Sequence, residues 1–133
     1  MENKLLGRIG LSMAINYFTL NGYTVSLPIN DTQWYDLIVE KDGQFKTVQC
    51  KCTDTKSNTI DLRSKGGTKG SIYDVLTDHP NLDYLFCVDS DRNLFLIPVN
   101  DLIENNIRHS ISLRTSRTSN GQGFQTYIYL LKG

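Results

Sequence analysis

Three polar residues in two neighbouring predicted strands have types and a spacing that suit chemistry on a phosphate. Asp36 lies in the mostly apolar run 35–39, and Gln49 and Lys51 flank Cys50 in the next predicted strand. Residues i and i+2 of a strand share a face, so Gln49 and Lys51 are predicted to point together, away from Cys50. A hairpin between the two strands would bring Asp36 beside them. A carboxylate, a carbonyl oxygen and an ammonium on one face suit a divalent cation next to a phosphate.

Each member of this set has a distinct predicted role. We expect the Asp36 carboxylate and the Gln49 amide oxygen to bind Mg²⁺, with Mn²⁺ as an alternative and the main-chain carbonyl of Cys50 as a further ligand. We expect Lys51 to stabilise charge on the phosphate or to orient the attacking water. Asp36, Gln49 and Lys51 are therefore the predicted catalytic residues. A solvent-facing aspartate at a strand edge and a lysine on an exposed strand face are the alternative interpretations.

The elements that must position this set follow from the periodicity of the chain. Apolar residues at helical spacing predict a first helix that stops at Asn21-Gly22. Asp42-Gly43 predicts the turn of a hairpin between the strand of Asp36 and the strand of Lys51. The predicted helices span residues 5–21 and 99–105, and the predicted strands span residues 23–27, 35–40, 45–53, 59–63, 83–89, 94–98, 111–114 and 126–131. These elements predict an α/β (α+β) fold with a mixed central sheet flanked by helices, in a single domain over residues 1–133.

The charge of the chain is balanced overall but unevenly distributed. Of its 133 residues, 14 are Lys or Arg and 14 are Asp or Glu, so the formal net charge is zero. A protein with no net charge is not expected to attract nucleic acid through its overall electrostatic field. Basic residues nevertheless concentrate in 46–69, and no acid follows Glu104. A local basic face and an even scatter of solvated charges are both consistent with this pattern.

Two polar segments contain the candidate DNA contacts. The predicted loop 64–70, which we expect to be exposed and mobile, contains Lys65 and Lys69, whose ammonium groups can hold a phosphate backbone. The predicted strand and loop 111–123 contain side chains that can read base edges in a major groove. These side chains are Arg114, Arg117, Asn120 and Gln122. An ordinary polar loop is the alternative for this second segment.

Several classes of protein are disfavoured by composition. The three cysteines have no spacing typical of a disulfide framework or a zinc site. No apolar run approaches the roughly 20 residues that a membrane span needs, so no membrane partner is expected. The first residues do not resemble a secretory signal, and we expect a cytoplasmic (intracellular) protein.

The chain resembles the PD-(D/E)xK nucleases, with Gln49 at the (D/E) position. Within that superfamily it is similar to the small homing endonucleases encoded by bacterial group I introns, and the similarity runs in order through most of the chain. The segments that carry it are Gly7 and residues 21–28, 35–39, 48–51, 94–98, 111–114 and 120–122. The resemblance implies a Mg²⁺-dependent endonuclease that hydrolyses phosphodiester bonds in double-stranded DNA. It further implies a site-specific homing enzyme that works as a homo-oligomer, either a dimer or a tetramer.

One position departs from the family pattern. The family usually has a glutamate in its first helix, and this chain has Leu11 at the matching place. This departure leaves three interpretations open: a weaker site with one metal ion, an acid supplied by another element, or a non-catalytic DNA-binding relative. A structure-specific nuclease of the Holliday-junction-resolvase kind is a further alternative. The sequence specifies neither the target nor the cut pattern.

Overall fold

A five-stranded mixed sheet forms the centre of the computed structural model, with strand order β1-β2-β3-β7-β8. The structure describes residues 1–30, 32–66, 71–74, 81–118 and 123–132. The elements are α1 (Asn3–Leu20), β1 (Thr24–Ser26), β2 (Leu37–Lys41), β3 (Gln44–Cys52), β4 (Thr59–Asp61), β5 (Arg63–Gly66), β6 (Ser71–Asp74), β7 (Tyr84–Val88), β8 (Leu94–Pro98), α2 (Val99–Glu104), β9 (Ser110–Ser112) and a 3-10 helix (Thr126–Tyr129). This architecture confirms the predicted fold class.

Helix α1 packs on the central sheet through residues four apart. Gly10, Ala14 and Phe18 are its buried residues, and this spacing places them on one face. The helix ends where Gly22 adopts a φ of +84°, a left-handed conformation that glycine takes at little cost. The N–H groups of Gly22 and Tyr23 then donate to the carbonyls of Thr19 and Phe18, at 3.1 and 3.0 Å. This C-terminal motif turns the chain back into β1.

The β2–β3 hairpin closes as its turn sequence predicts. Asp42 and Gly43 have φ values of +53° and +80°, as a two-residue turn of the type that matches strand twist requires. The Glu40 carboxylate accepts a hydrogen bond from the Gly43 N–H at 3.0 Å. Leu37 lies opposite Val48 in this antiparallel pair, and the turn therefore fixes the register of the site.

Strand β3 pairs in parallel with the apolar strand β7 and antiparallel with β2, so β3 is the middle strand of the sheet. Two hydrophobic clusters lie on opposite faces of this sheet. We call the cluster under α1 the helix-side core; its buried members are Ala14, Phe18, Leu37, Val39, Val48, Phe86 and Val88. We call the other the far-side core; its buried members are Ile60, Leu62, Leu82, Leu85, Cys87, Phe95, Ile97, Val99, Leu102, Ile111 and Leu113.

Two local predictions were wrong. The predicted loop 64–70 begins inside strand β5, which pairs with β6 as an antiparallel hairpin; residues 67–70 lie outside the described residues. The predicted strand 126–131 is a 3-10 helix followed by a single bridge from Leu130 to Phe95.

No helix among the residues described is long and apolar enough to cross a membrane.

The close approach of α1 to β3 generates a stability prediction. A Cβ atom added at Gly10 would lie 3.5 Å from both the Cys52 Cβ and the Lys51 carbonyl carbon, whereas one added at Gly7 would meet nothing within 4 Å. We expect Gly10→Val to lower the free energy of unfolding by about 1–3 kcal/mol, because its methyl groups would push the helix off the sheet. Gly7→Val is the matched control, since it places the same side chain in open space. Equal urea midpoints for the two variants would contradict this packing.

Candidate active site

The two faces of β3 carry different chemistry. Val48 is buried in the helix-side core, and Cys50 and Cys52 pack against the same cluster. Gln49 and Lys51 alternate with these residues and point to the other face. Their partners on β7 are Leu85 and Cys87, both members of the far-side core. Gln49 and Lys51 are each only partly buried, so their polar ends are accessible at the edge of that core.

Asp36 lies at the bend immediately before β2. Its N–H donates to the Val48 carbonyl at 2.8 Å, although Leu37 is the register partner of Val48, so Asp36 lies outside the regular ladder. One carboxylate oxygen of Asp36, Oδ2, accepts a hydrogen bond from the Cys50 N–H at 2.7 Å. The structure therefore fixes the Asp36 carboxylate to the main chain of β3 at Cys50, between Gln49 and Lys51 in the sequence, and the side chains of those two residues share one face.

The Asp36 carboxyl lies in an environment that disfavours its charge. Burial by surrounding atoms raises its pKa, and this effect outweighs the opposing effects of the Cys50 hydrogen bond and the Lys51 ammonium. The residue as a whole is nevertheless exposed to solvent, which reduces the energetic cost of its charge. A partly desolvated carboxylate of this kind gains from a bound cation, because the cation compensates for the lost hydration.

The cysteine thiols around the site are neutral. Burial raises the pKa of the Cys50 thiol well above its ordinary value, and the Asp36 charge acts in the same direction. Burial also raises the pKa of the Cys87 thiol, to about 12. Neither side chain offers a thiolate near neutral pH. Cys50 can therefore serve a metal through its main-chain carbonyl only, which is the contribution expected from the sequence.

The predicted donor set would suit a hard cation that keeps much of its water. It comprises the Asp36 carboxylate, the Gln49 amide oxygen and the Cys50 carbonyl, all oxygen atoms. In the described part of the chain, no group of three His, Cys, Asp or Glu side chains could hold a metal ion. Leu11, at the position of the expected helix acid, packs against the helix-side core together with Cys50. The helix therefore provides an apolar side chain behind β3 instead of a further ligand.

A cleft beside Lys51 contains residues to which the sequence analysis gave no role. It has a volume of about 450 Å³ and lies between the first turn of α1, the end of β3 and strand β4. Asp61 and Arg63 line it with Lys51, and the Lys51 charge acts on Asp61. Their charges are visible in the sequence, but their position depends on the pairing of β4 with β9, which are far apart in the chain.

The predicted DNA contacts are only partly described. Arg114 and Arg117 are exposed. The Arg114 Nη1 atom donates to the main-chain carbonyls of Ser57 and Leu113, at 2.7 and 2.9 Å, so part of this guanidinium holds the fold together. Lys65 lies on β5, and its side chain is not described. Lys69, Asn120 and Gln122 lie outside the described residues.

Comparisons with known proteins define the class of this chain. The PD-(D/E)XK endonuclease family matches it over residues 1–128, so the chain belongs to that family. Membership confirms the resemblance inferred from the sequence and places the protein among the nucleases, which in this family generally use divalent metal ions.

A solved structure gives a more particular similarity. The chain is similar to a bacterial homing endonuclease, I-Ssp6803I, with 21% sequence identity and a TM-score of 0.64. The match covers 97% of this chain and 87% of that chain. At this identity the likeness shows a shared fold. No curated protein matches the chain.

The raised pKa of Asp36 predicts a pH-dependent gain of stability in Asp36→Asn. A carboxyl whose pKa is higher in the folded than in the unfolded protein binds its proton more tightly when folded. The charged form of Asp36 therefore lowers the free energy of unfolding at neutral pH. This loss disappears as the pH falls, first through the pKa of Asp36 in the folded protein and then through its pKa in the unfolded chain. We expect Asp36→Asn to raise the free energy of unfolding at pH 7 by up to about 1 kcal/mol, since solvent screens part of the penalty.

This gain should vanish near pH 3, where both carboxyl and amide are neutral, as measured by urea unfolding across the pH range. Asn can still accept the Cys50 N–H, so the hairpin is retained. Asp91→Asn, at an exposed position, is the matched control. A loss of stability in Asp36→Asn at pH 7 would show that the charge is favourable where it lies.

Proposed function

We propose that this chain is a divalent-cation-dependent DNA endonuclease that hydrolyses phosphodiester bonds, with Mg²⁺ as its ion, and that it cuts specific sites as a homing enzyme. The observation that carries this proposal is the hydrogen bond from the Cys50 N–H to Asp36 Oδ2 at 2.7 Å, which holds this carboxylate beside the strand segment that contains Gln49 and Lys51. Family membership and the shared fold with a bacterial homing endonuclease support it.

Each residue of the set has a separate proposed part in the reaction. The Asp36 carboxylate, the Gln49 amide oxygen and the Cys50 carbonyl would hold the cation, which, when bound, supplies Lewis acidity to the phosphate and to a water. Lys51 supplies a fixed positive charge from the adjacent position of the same face. Its ammonium stabilises the negative charge that accumulates on the phosphate as the water attacks. Leu85 and Cys87, the uncharged partners of Gln49 and Lys51 on β7, exclude solvent from one side and so strengthen the interaction between the ammonium and the phosphate.

DNA must approach this face for the proposed reaction. Exposed Arg114 and Arg117 can contact its backbone or bases, and Lys65, Lys69, Asn120 and Gln122 remain proposed contacts from the sequence. Two active sites with opposite orientation can cut both strands of a duplex in one encounter. A homo-oligomer, dimer or tetramer, would provide them by symmetry.

A non-catalytic DNA-binding relative is the second candidate, and Leu11 is the observation that favours it. Asp36 is the single carboxylate among the proposed ligands, and two-metal hydrolysis needs more oxygen donors than this site presents. Such a protein would keep salt-sensitive DNA binding and lose cleavage.

Substitution of Lys51 separates these functions. We expect Lys51→Ala to lower the single-turnover cleavage rate by a factor of roughly 10²–10³, because it removes the charge that stabilises the transition state. Lys46→Ala is the matched control: it removes a partly buried lysine from the same strand, but one that lines a pocket on the helix-side face. The substrate panel would contain supercoiled plasmid, linear duplexes with tRNA and rRNA gene fragments, and a four-way junction.

The result depends on protein that is folded, so each variant needs a melting temperature close to that of the wild type. Mg²⁺ should raise the melting temperature of the wild type and of Lys51→Ala, and it should have no such effect on Asp36→Ala. Equal cleavage by Lys51→Ala and Lys46→Ala would contradict the role of Lys51. Preference for the four-way junction over every duplex would favour a resolving over a homing enzyme.

Restoring an acid on the first helix tests the consequence of Leu11. We expect Leu11→Glu to lower the Mg²⁺ concentration for half-maximal cleavage by about tenfold, because it adds a carboxylate on the helix that packs against β3. Leu11→Gln is the control, since it has the same length without the charge. Cleavage gained by Leu11→Glu from an inactive wild type would support the non-catalytic candidate. Identical Mg²⁺ dependence in the two variants would show that position 11 does not reach the cation.

A further inference from the structure

The cleft beside Lys51 contains a second cationic side chain, Arg63, to which the proposed reaction gives no role. Lys51 and Arg63 are the two cationic side chains among the described residues that line this cleft. Each carboxylate in the lining has a positive partner. Asp54 pairs with the amino group of Met1 at 3.0 Å, and Asp61 pairs with the Arg63 Nε atom at 3.3 Å. Neither carboxylate is therefore left unpaired to repel an anion that enters the cleft.

Asp61 holds the Arg63 guanidinium through its Nε atom. The Asp61 Oδ1 atom accepts hydrogen bonds from the Arg63 main-chain N–H at 2.8 Å and from the Nε–H at 3.3 Å. Asp61 itself lies on β4 next to the buried Ile60, so this carboxylate has a fixed base in the fold. Among the residues that the structure describes, the two Nη groups of Arg63 have no hydrogen-bond acceptor. Their N–H donors are available to a ligand.

A guanidinium held in this way suits a phosphate group. The N–H donors of the two Nη groups form a planar fork, which can donate to two oxygen atoms of one phosphate. The Arg63 side chain is 42% exposed, so a DNA strand can reach it from solvent. The contacts with Asp61 restrict the side chain before a ligand binds, which lowers the entropy lost on binding. Solvent screens this exposed ion pair, so the Asp61 charge offsets only part of the attraction.

We propose that Arg63 binds a backbone phosphate of DNA at the cleft that it shares with Lys51, with Asp61 orienting its guanidinium for this contact. The proposal rests on the proposed function, which brings a DNA strand to Lys51. A phosphate contact positions the strand and reads no base. Lys65, a DNA contact expected from the sequence, lies two residues after Arg63 on the same strand, β5.

DNA binding without cleavage tests this contact. The probes are fluorescein-labelled duplexes of equal length and different sequence, titrated with protein in EDTA at several concentrations of NaCl. The loss of one phosphate contact makes the dependence of the logarithm of affinity on the logarithm of salt concentration shallower by about one. We expect this decrease in Arg63→Gln, with a loss of affinity that is about equal for every duplex. Melting temperatures close to that of the wild type would show that the variants are folded.

Two further variants separate the charge of Arg63 from its hydrogen bonds. Arg8→Gln is the matched control and should keep the wild-type salt dependence, because it removes an exposed arginine that is not among the described residues lining the cleft. Arg63→Lys should also keep this dependence, since the charge remains, but should bind DNA more weakly because an ammonium cannot form the fork. An unchanged salt dependence in Arg63→Gln overturns the phosphate contact. A loss confined to one duplex sequence also overturns it, in favour of a contact with a base.

The cleavage assay measures the same contact in the proposed reaction. We expect Arg63→Gln to raise KM for DNA roughly three- to tenfold and to lower kcat by less than about twofold, because a contact made equally before and in the transition state contributes uniform binding. Lys51→Ala should show the opposite pattern, with its main loss in kcat. An unchanged KM in Arg63→Gln, with cleavage intact in the wild type, contradicts the role of Arg63.

Failure of the contact and failure of the proposed function give different results. A shallower salt dependence in Arg63→Gln, when the wild type cuts no DNA, supports the phosphate contact and overturns the nuclease proposal. A wild type that cuts DNA, but shares its salt dependence with Arg63→Gln, overturns the contact alone. A wild type that binds no duplex overturns both. Sodium phosphate that raises the melting temperature of the wild type and not of Arg63→Gln, without any change in DNA binding, would assign the cleft to free phosphate and overturn the DNA contact.

Discussion

The two-residue alternation of β3 is the constraint on which the rest of this structure depends. Its even-numbered residues Val48, Cys50 and Cys52 pack in the helix-side core under α1. The intervening residues Gln49 and Lys51 point to the other face and belong to the candidate site. A shift of one residue in the register would exchange the two sets and bury a lysine under the helix. The Asp42-Gly43 turn and the parallel pairing with β7 each fix that register independently. The same register of β3 is therefore needed both for the packing of the fold and for the composition of the candidate site.

The Asp36 carboxylate shows the energetic consequence of this arrangement. Its hydrogen bond to the Cys50 N–H holds it in place, yet burial makes its charge unfavourable. A site that binds a cation gains by presenting a carboxylate whose charge is not already compensated. The cleft beside Lys51 is lined by two cationic side chains, Lys51 and Arg63, and two carboxylates, Asp54 and Asp61, so these side chains contribute no net charge. A DNA phosphate thus meets no net repulsion at the site of a protein whose overall charge is also zero.

The sequence was sufficient where the contacts are local in the chain. The Asp42-Gly43 turn and the alternation around Cys50 determine the hairpin that brings Asp36 to the main chain of β3, and the apolar run of β7 indicates a strand buried on both faces. Asp61 could not be placed in the same way, because its position results from the pairing of β4 with β9. The closing segment 126–131 has the composition of a strand, but its tertiary contacts override that preference. Leu131 donates to the Leu94 carbonyl at 2.8 Å after a 3-10 turn and does not form a full ladder.

Leu11 affects the site in two ways. It provides no metal ligand, and its apolar side chain changes the polarity of the surroundings of the site. It packs with Cys50 against the helix-side core, so the main chain that supports Asp36 has an apolar layer behind it. An acid in that layer would add an oxygen donor, but in the absence of a cation it would also repel Asp36 and raise the pKa of that carboxyl further. A site with both acids would therefore bind its cation in closer competition with protons. With leucine at position 11, the proposed site would rely on a single carboxylate, whose charge is established at lower pH, and on a cation that keeps more of its own water. Fewer fixed charges would then hold the ion and the phosphate, so the Lys51 ammonium would supply a larger share of the electrostatic stabilisation in the proposed reaction.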